Sequence, residues 1–160
     1  MTAAKLLRLP ALDPSEVTSA TSSNYPDPFK PFVTGRNKRR LGEVLGLNNF
    51  GVNLTTLKSG AQSALRHWHK TQDEFIYVVS GELTLVTNVG EQILHTGMCA
   101  GFPAGFMEGH CLINRSNEDA SYLEVGDRTA DDHVVYPDDD LVARLVDGQW
   151  RFERRDGTQY

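Results

Sequence analysis

Two histidines separated by a single residue, followed by a glutamate that opens a β-branched and aromatic run, constrain this chain more than any other feature. His67 and His69 flank Trp68, and on a strand residues i and i+2 project from one face, so both imidazoles can reach one point. A short polar link, residues 71–73, leads to Glu74 and the run Phe-Ile-Tyr-Val-Val, the composition strands prefer. If Glu74 faces the histidines, Ile76 and Val78 follow it inward, and an ionised carboxylate among apolar neighbours needs a partner. A divalent cation supplies one. Turn signals at residues 80–82 and 88–90 predict an antiparallel meander, and bends at Gly97 and residues 101–105 precede a strand at 110–114 that carries another imidazole, His110.

Gly60, His67, His69, Glu74 and Gly81, followed by Gly97, Pro103, Gly105, His110 and Asn114, resemble the two motifs of the cupin superfamily, in particular its small single-domain, conserved-barrel members. Two spacings depart from the pattern: six residues rather than five separate Gly60 from His67, and four rather than two separate Gly105 from His110. The resemblance implies an all-β chain folded as a double-stranded β-helix, or jelly-roll barrel. It also implies that His67, His69, Glu74 and His110 hold one divalent metal ion per chain, with positions left open toward the barrel mouth. Imidazole and carboxylate suit Zn, Fe, Mn or Ni, and the donor set does not choose among them. Dioxygenases, sugar-phosphate isomerases, lyases and decarboxylases all occur in the superfamily. The implied function is therefore a metal-dependent enzyme of isomerase, lyase or dioxygenase type acting on a small oxygenated metabolite such as a sugar or carboxylic acid. The alternative is a non-catalytic small-molecule-binding or sensing module. A structural barrel with incidental histidines ranks last, because the ligand set is complete.

Length and charge narrow the partners. At 160 residues the chain accommodates one domain with a true core. A net charge of −5 disfavours nucleic acid and anionic membranes. No apolar run approaches a membrane span, and residues 1–10 are too short and interrupted for a signal-peptide core, so the default location is cytoplasmic. Two cysteines, Cys99 and Cys111, make no disulfide framework and are expected to be buried as small apolar residues.

The expected organisation is an irregular, proline-rich N-terminal arm (1–35), the barrel (36–128), and an acidic loop with a C-terminal hairpin packed on the barrel (129–160). The arm carries five of the seven prolines, yet Tyr25, Phe29, Phe32 and Val33 are too apolar for a free tail, so it should lie on its own barrel or on a partner subunit. The basic run at 36–40 reads as a solvated loop, with a phosphate or acidic-substrate site as the alternative. Residues 41–46 suit a short turn or one helical turn and 50–57 a strand. Alternation turns Trp68, Phe75, Tyr77 and Val79 outward, and a patch of that kind needs cover from the arm or a second subunit, which points to a homodimer. A strand at 120–125 closes the barrel. Residues 129–140, acidic and containing His133, read as a hydrated loop in preference to a second cation site. Asp147-Gly148 between alternating runs signals a final hairpin anchored by Trp150 and Phe152. Glu108, in the inserted residues before His110, reads either as an acid or base over the barrel mouth or as an exposed loop glutamate with no role. Asp73 is assigned a structural role beside the site, and His95 a surface position.

Overall fold

In the computed structural model, which describes residues 10–160, the all-β jelly-roll expectation is met by antiparallel ladders in three sheets. One wall consists of β1 (Arg36–Arg39), β2 (Phe50–Leu57), β9 (Ala120–Asp127), β4 (Glu74–Ser80) and β7 (Cys99–Phe102), adjacent in that order. The opposite wall is split. Strands β12 (Gln149–Glu153), β11 (Leu141–Val146), β10 (His133–Tyr136) and β3 (Trp68–His69) form one part, and β6 (Gly90–His95), β5 (Glu82–Thr87) and β8 (Cys111–Ile113) the other. A short helix, α1 (Leu41–Leu45), ends at Gly46 in the left-handed conformation.

Alternation buries one face of each central strand. On β4, Ile76 and Val78 are 1% and 0% exposed, whereas Phe75, Tyr77 and Val79 each keep about two-fifths of their surface in solvent. The buried face packs with Leu57, Leu83, Leu85, Leu94, Leu112 and Tyr122 into one core. A second core joins Leu65, Val134, Tyr136, Leu141 and Ala143 to Tyr25 and Val33 of the arm. Tyr25 meets Tyr136 and Phe152 edge to face, at centroid separations of 5.7 and 5.8 Å. The arm, which includes the 3₁₀ segments Pro14–Glu16 and Asp27–Val33, is therefore tied to its own chain at Tyr25 and Val33.

Several sequence expectations are corrected. The run at 36–40 is no solvated loop: Arg36–Arg39 is β1, paired with β2. Nor is 129–140 simply hydrated, since His133–Tyr136 is β10, set between β11 and β3. No meander joins β4 to β5, because the turn at Gly81 passes the chain from one sheet to another. Cys111 is buried but Cys99 is exposed. The arm covers the C-terminal sheet and leaves the outer face of β4 open. The reading of residues 1–9 as unsuited to a signal peptide lies outside the described residues. No helix among the described residues is long and apolar enough to cross a membrane.

Candidate metal centre

Three imidazoles converge on one oxygen of the Glu74 carboxylate. Glu74 opens β4 on its inner face; His69 ends β3; His67 and His110 face each other in an isolated antiparallel bridge. That bridge is closed by His67 N–H to His110 C=O at 3.1 Å and His110 N–H to His67 C=O at 2.9 Å. Backbone pairing thus fixes His110 despite the longer loop before it. The Nε2 atoms of His67, His69 and His110 lie 3.7, 3.7 and 3.1 Å from Glu74 Oε2. Within this set, donor atoms of His67, His69 and Glu74 all fall within 4.8 Å of one another. A tetrahedral ion with bonds of about 2.0–2.1 Å separates its ligand atoms by about 3.3 Å, so the spacing of His67, His69 and Glu74 suits a first-row divalent ion, and His110 adjoins that group through its 3.1 Å contact with Glu74.

The outward nitrogens support the same fit. His67 Nδ1–H donates to Leu65 C=O at 2.8 Å, and His69 Nδ1–H donates to Asp132 Oδ2 at 2.6 Å. With Nδ1 turned to an acceptor, Nε2 of each ring is the nitrogen directed at Glu74, and it becomes a metal ligand once its proton is displaced. His110 stacks flat on Phe102, with centroids 3.5 Å apart, and its buried Nδ1 has no partner among the described residues.

Electrostatics follow from burial and pairing. Burial alone would raise Glu74, but hydrogen bonds and charge from His110 and His67 outweigh it and hold the carboxyl well below its usual range. Burial pushes His67 down. Burial also opposes the charged form of His69, yet Asp132 and nearby carboxylates lift that imidazole above its ordinary value. Asp132 is held at about 2: burial raises it, and bonds from His69 and Thr71 more than reverse this. Its other oxygen accepts from Thr71 N and Oγ1, both at 3.0 Å.

A cavity of about 250 Å³ opens beside the four side chains, near the lower end of ligand pockets, roughly 300–1,000 Å³. A second of about 650 Å³ meets the site from the other side, and His69, Glu74 and Glu124 line both. Register explains which other groups face inward. Lys38 shares a row with Thr55, Tyr122 and Val78, the last three buried, and Asn53 and Glu124 share a row with buried Ile76. Glu124 Oε1 accepts from Lys38 Nζ at 2.9 Å and from Asn53 Nδ2 at 3.1 Å.

The sequence-chosen residues therefore divide. His67, His69, Glu74 and His110 come together. Glu108 does not join them: its Oε1 accepts from Asn88 N at 2.6 Å, and it lines neither cavity. Asp73 is structural, accepting from Ala104 N at 2.7 Å, and His95 is exposed beside Glu82. Asp132, Lys38 and Glu124 were missed. Asp132 was hidden in an acidic run, whereas the alternation Arg36-x-Lys38-x-Arg40 and Tyr122-x-Glu124 carried the signal for the others.

A cupin-domain family model matches residues 53–126. A crystal structure of a sugar phosphate isomerase of the cupin superfamily from Silicibacter pomeroyi is 40% identical over 94% of this chain and 96% of its own, with a TM-score of 0.90. A candidate sugar phosphate isomerase from Acidithiobacillus ferrooxidans is 27% identical over 81% of this chain and 82% of its own, with a TM-score of 0.73. The polyketide cyclase RemF from Streptomyces resistomycificus, 18% identical over 73% of this chain and 78% of its own (TM-score 0.61), shares the fold alone. No curated protein gives a significant match. The paired motifs, the sheet order and this near-complete likeness make the chain a member of the cupin superfamily.

Proposed function

We propose that the protein is a metal-dependent isomerase of a small phosphorylated sugar. The observation that carries this reading is the convergence of three imidazole Nε2 atoms on Glu74 Oε2, with two of the rings locked by their Nδ1 bonds. The likeness to the Silicibacter protein described as a sugar phosphate isomerase supports the substrate class. His67, His69, Glu74 and His110 would hold the ion, which supplies Lewis-acid polarisation of a carbonyl and its neighbouring hydroxyl.

The chain's own groups account for the proton movement. Aldose–ketose isomerisation removes a proton from the carbon next to the carbonyl, shifts that C–H electron pair into a C=C bond, and returns a proton to the former carbonyl carbon. The carbonyl oxygen gains a proton and the neighbouring hydroxyl loses one, so nothing is oxidised or reduced overall. Glu124 is the carboxylate placed for the carbon-bound proton, because it lines both cavities next to Glu74 without belonging to the imidazole cluster. Lys38 and Asn53 orient it through their hydrogen bonds. Phe102, Ile76 and Tyr136 supply the apolar walls that exclude water.

Protein purified without a histidine tag should contain close to one first-row divalent ion per chain, and His69→Ala should lose it. The loaded enzyme should interconvert one member of a panel of triose, pentose and hexose phosphates, and Glu124→Gln should lower kcat about 10²- to 10⁴-fold while metal content stays unchanged. Retention of metal by His69→Ala removes the site assignment. A metal-loaded protein that turns over no member of the panel removes the isomerase reading.

A further inference from the structure

From the placement of Arg36 we infer an anion-binding subsite within the smaller cavity, built to take the terminal phosphate of the substrate. Arg36 is the first inward residue of β1, paired across the ladder with Leu57 and, beyond it, Ala120, both fully buried. Its side chain is half-buried and lines the same cavity as His67, His69 and Glu74. Among the described residues one acceptor meets it: Nη1–H donates to Ser63 C=O at 2.5 Å. Among the described residues no carboxylate lies within ion-pair distance of this guanidinium.

That isolation sets Arg36 apart from its neighbours on the same face. Lys38 is neutralised by Glu124 at 2.9 Å, and Arg40 reaches Glu43 at 3.3 Å. A guanidinium drawn partly out of water without a counter-ion is costly unless something anionic pairs with it. The cavity's two carboxylates are engaged elsewhere, Glu74 by the imidazoles and Glu124 by Lys38 and Asn53. Ser22, Ser23 and Asn24 of the arm line the cavity beside Arg36. Tyr122 Oη and Thr55 Oγ1 are fully buried near one another, yet neither forms a hydrogen bond of normal geometry. Burial raises the phenols of Tyr25, Tyr122 and Tyr136; Glu74 adds to that rise at Tyr25 and, with Glu124, at Tyr122, and the Arg36 charge opposes it at all three. A planar fork with four free N–H groups among neutral hydroxyls is suited to a tetrahedral oxyanion, whose three terminal oxygens accept from several donors at once. The arm is then part of the pocket: it brings Ser22 to Asn24 over β1 through the bridge between Ala20 and Lys38.

This inference rests on the isomerase reading only for the identity of the molecule that carries the phosphate. Its first test is accordingly independent of turnover. Inorganic phosphate, titrated at constant ionic strength against the intact wild-type protein, should raise the melting temperature saturably. Arg36→Met should weaken that binding about 10- to 100-fold, with Arg36→Lys intermediate, because a single ammonium keeps the charge and loses the fork. Arg128→Met, which removes the cation lining the other cavity, should leave it unchanged. Far-ultraviolet circular dichroism without phosphate checks that each variant folds, and Arg36→Lys keeps the test decisive if Arg36→Met does not. Stabilisation that survives both Arg36 substitutions, or that is lost with Arg128, means an adventitious ion only and overturns the subsite. Tighter binding of lactate than of phosphate overturns the phosphate assignment in favour of a carboxylate. In turnover, Arg36→Met should lose kcat/KM on the phosphorylated sugar by a similar factor and leave the unphosphorylated sugar unaffected; equal losses on both count against the inference. Phosphate protection through Arg36 without turnover of any sugar phosphate upholds the subsite and discards the isomerase reading alone.

Discussion

At the scale of single residues, Asp132 shows how much of a metal site lies outside its ligands. The side chain is fully buried, and it accepts from His69 Nδ1 and from the backbone and hydroxyl of Thr71. Asp132→Asn keeps the shape and removes the charge that fixes the His69 tautomer. Metal affinity should fall about 10- to 100-fold by calorimetric titration. The same carboxylate has a pH signature in the metal-free protein. Its folded value, about 2, lies below an unfolded value near 3.9, so its stabilising contribution is present above about pH 4 and is lost as pH falls toward 2. The contribution is roughly 2 kcal/mol. Urea melts should therefore show wild type more stable than Asp132→Asn at neutral pH, with the difference shrinking in acid. A difference independent of pH would show that the carboxylate's charge is not what stabilises the fold.

At the scale of elements, the turn at Gly81 is what makes a jelly roll out of strands that could have formed a meander. Gly81 has a positive φ of +77°, and a Cβ there would sit 2.8 Å from Ala120 Cβ and 3.0 Å from Asp119 O. The chain can leave β4 and enter β5 in the other sheet only because nothing occupies that space. Gly81→Ala should destabilise by about 2–4 kcal/mol through strain and overpacking together, read as a lower urea midpoint with an unchanged slope. An unchanged midpoint would remove this account of the corner. The same elements show why some of the fold could be read from the sequence and some could not. Strands β2, β4, β11 and β12 announce themselves because apolar residues alternate along them and turn residues end them. Strands β1 and β10 do not. The inward residues of β1 are Arg36 and Lys38, facing a polar cavity, so its alternation reads as a charge run. In β10 the inward pair Val134 and Tyr136 is flanked by Asp131, Asp132 and Asp138 to Asp140, whose composition masks a buried strand. The candidate ligands were legible because local spacing puts His67, His69 and Glu74 on inner faces. Asp132 was not, because its pairing with His69 spans 63 residues and depends on β10 lying beside β3.

At the scale of the whole molecule, the cluster sits where separately laddered walls meet. Glu74 belongs to the five-stranded sheet, His69 to the four-stranded one, and His67 and His110 to a bridge next to β8. Without a cation, the contact between these walls here depends on imidazole bonds to one carboxylate and on two cores with different memberships. A divalent ion bound by all four side chains would cross-link the walls and bind the native state alone, so its binding energy adds to the stability of the entire fold. At a free ion concentration about 1,000 times the dissociation constant, the gain is about 4 kcal/mol, which for a domain of this size corresponds to roughly 8–16 °C in melting temperature. Chelation should lower the melting temperature by that amount in one cooperative transition seen alike by fluorescence and by circular dichroism. His69→Ala should melt near the chelated wild type and respond little to added metal. If the chelated protein instead melts in two steps, the walls unfold independently and the ion is holding them together; if its melting temperature does not move, the four side chains do not form a stabilising metal centre.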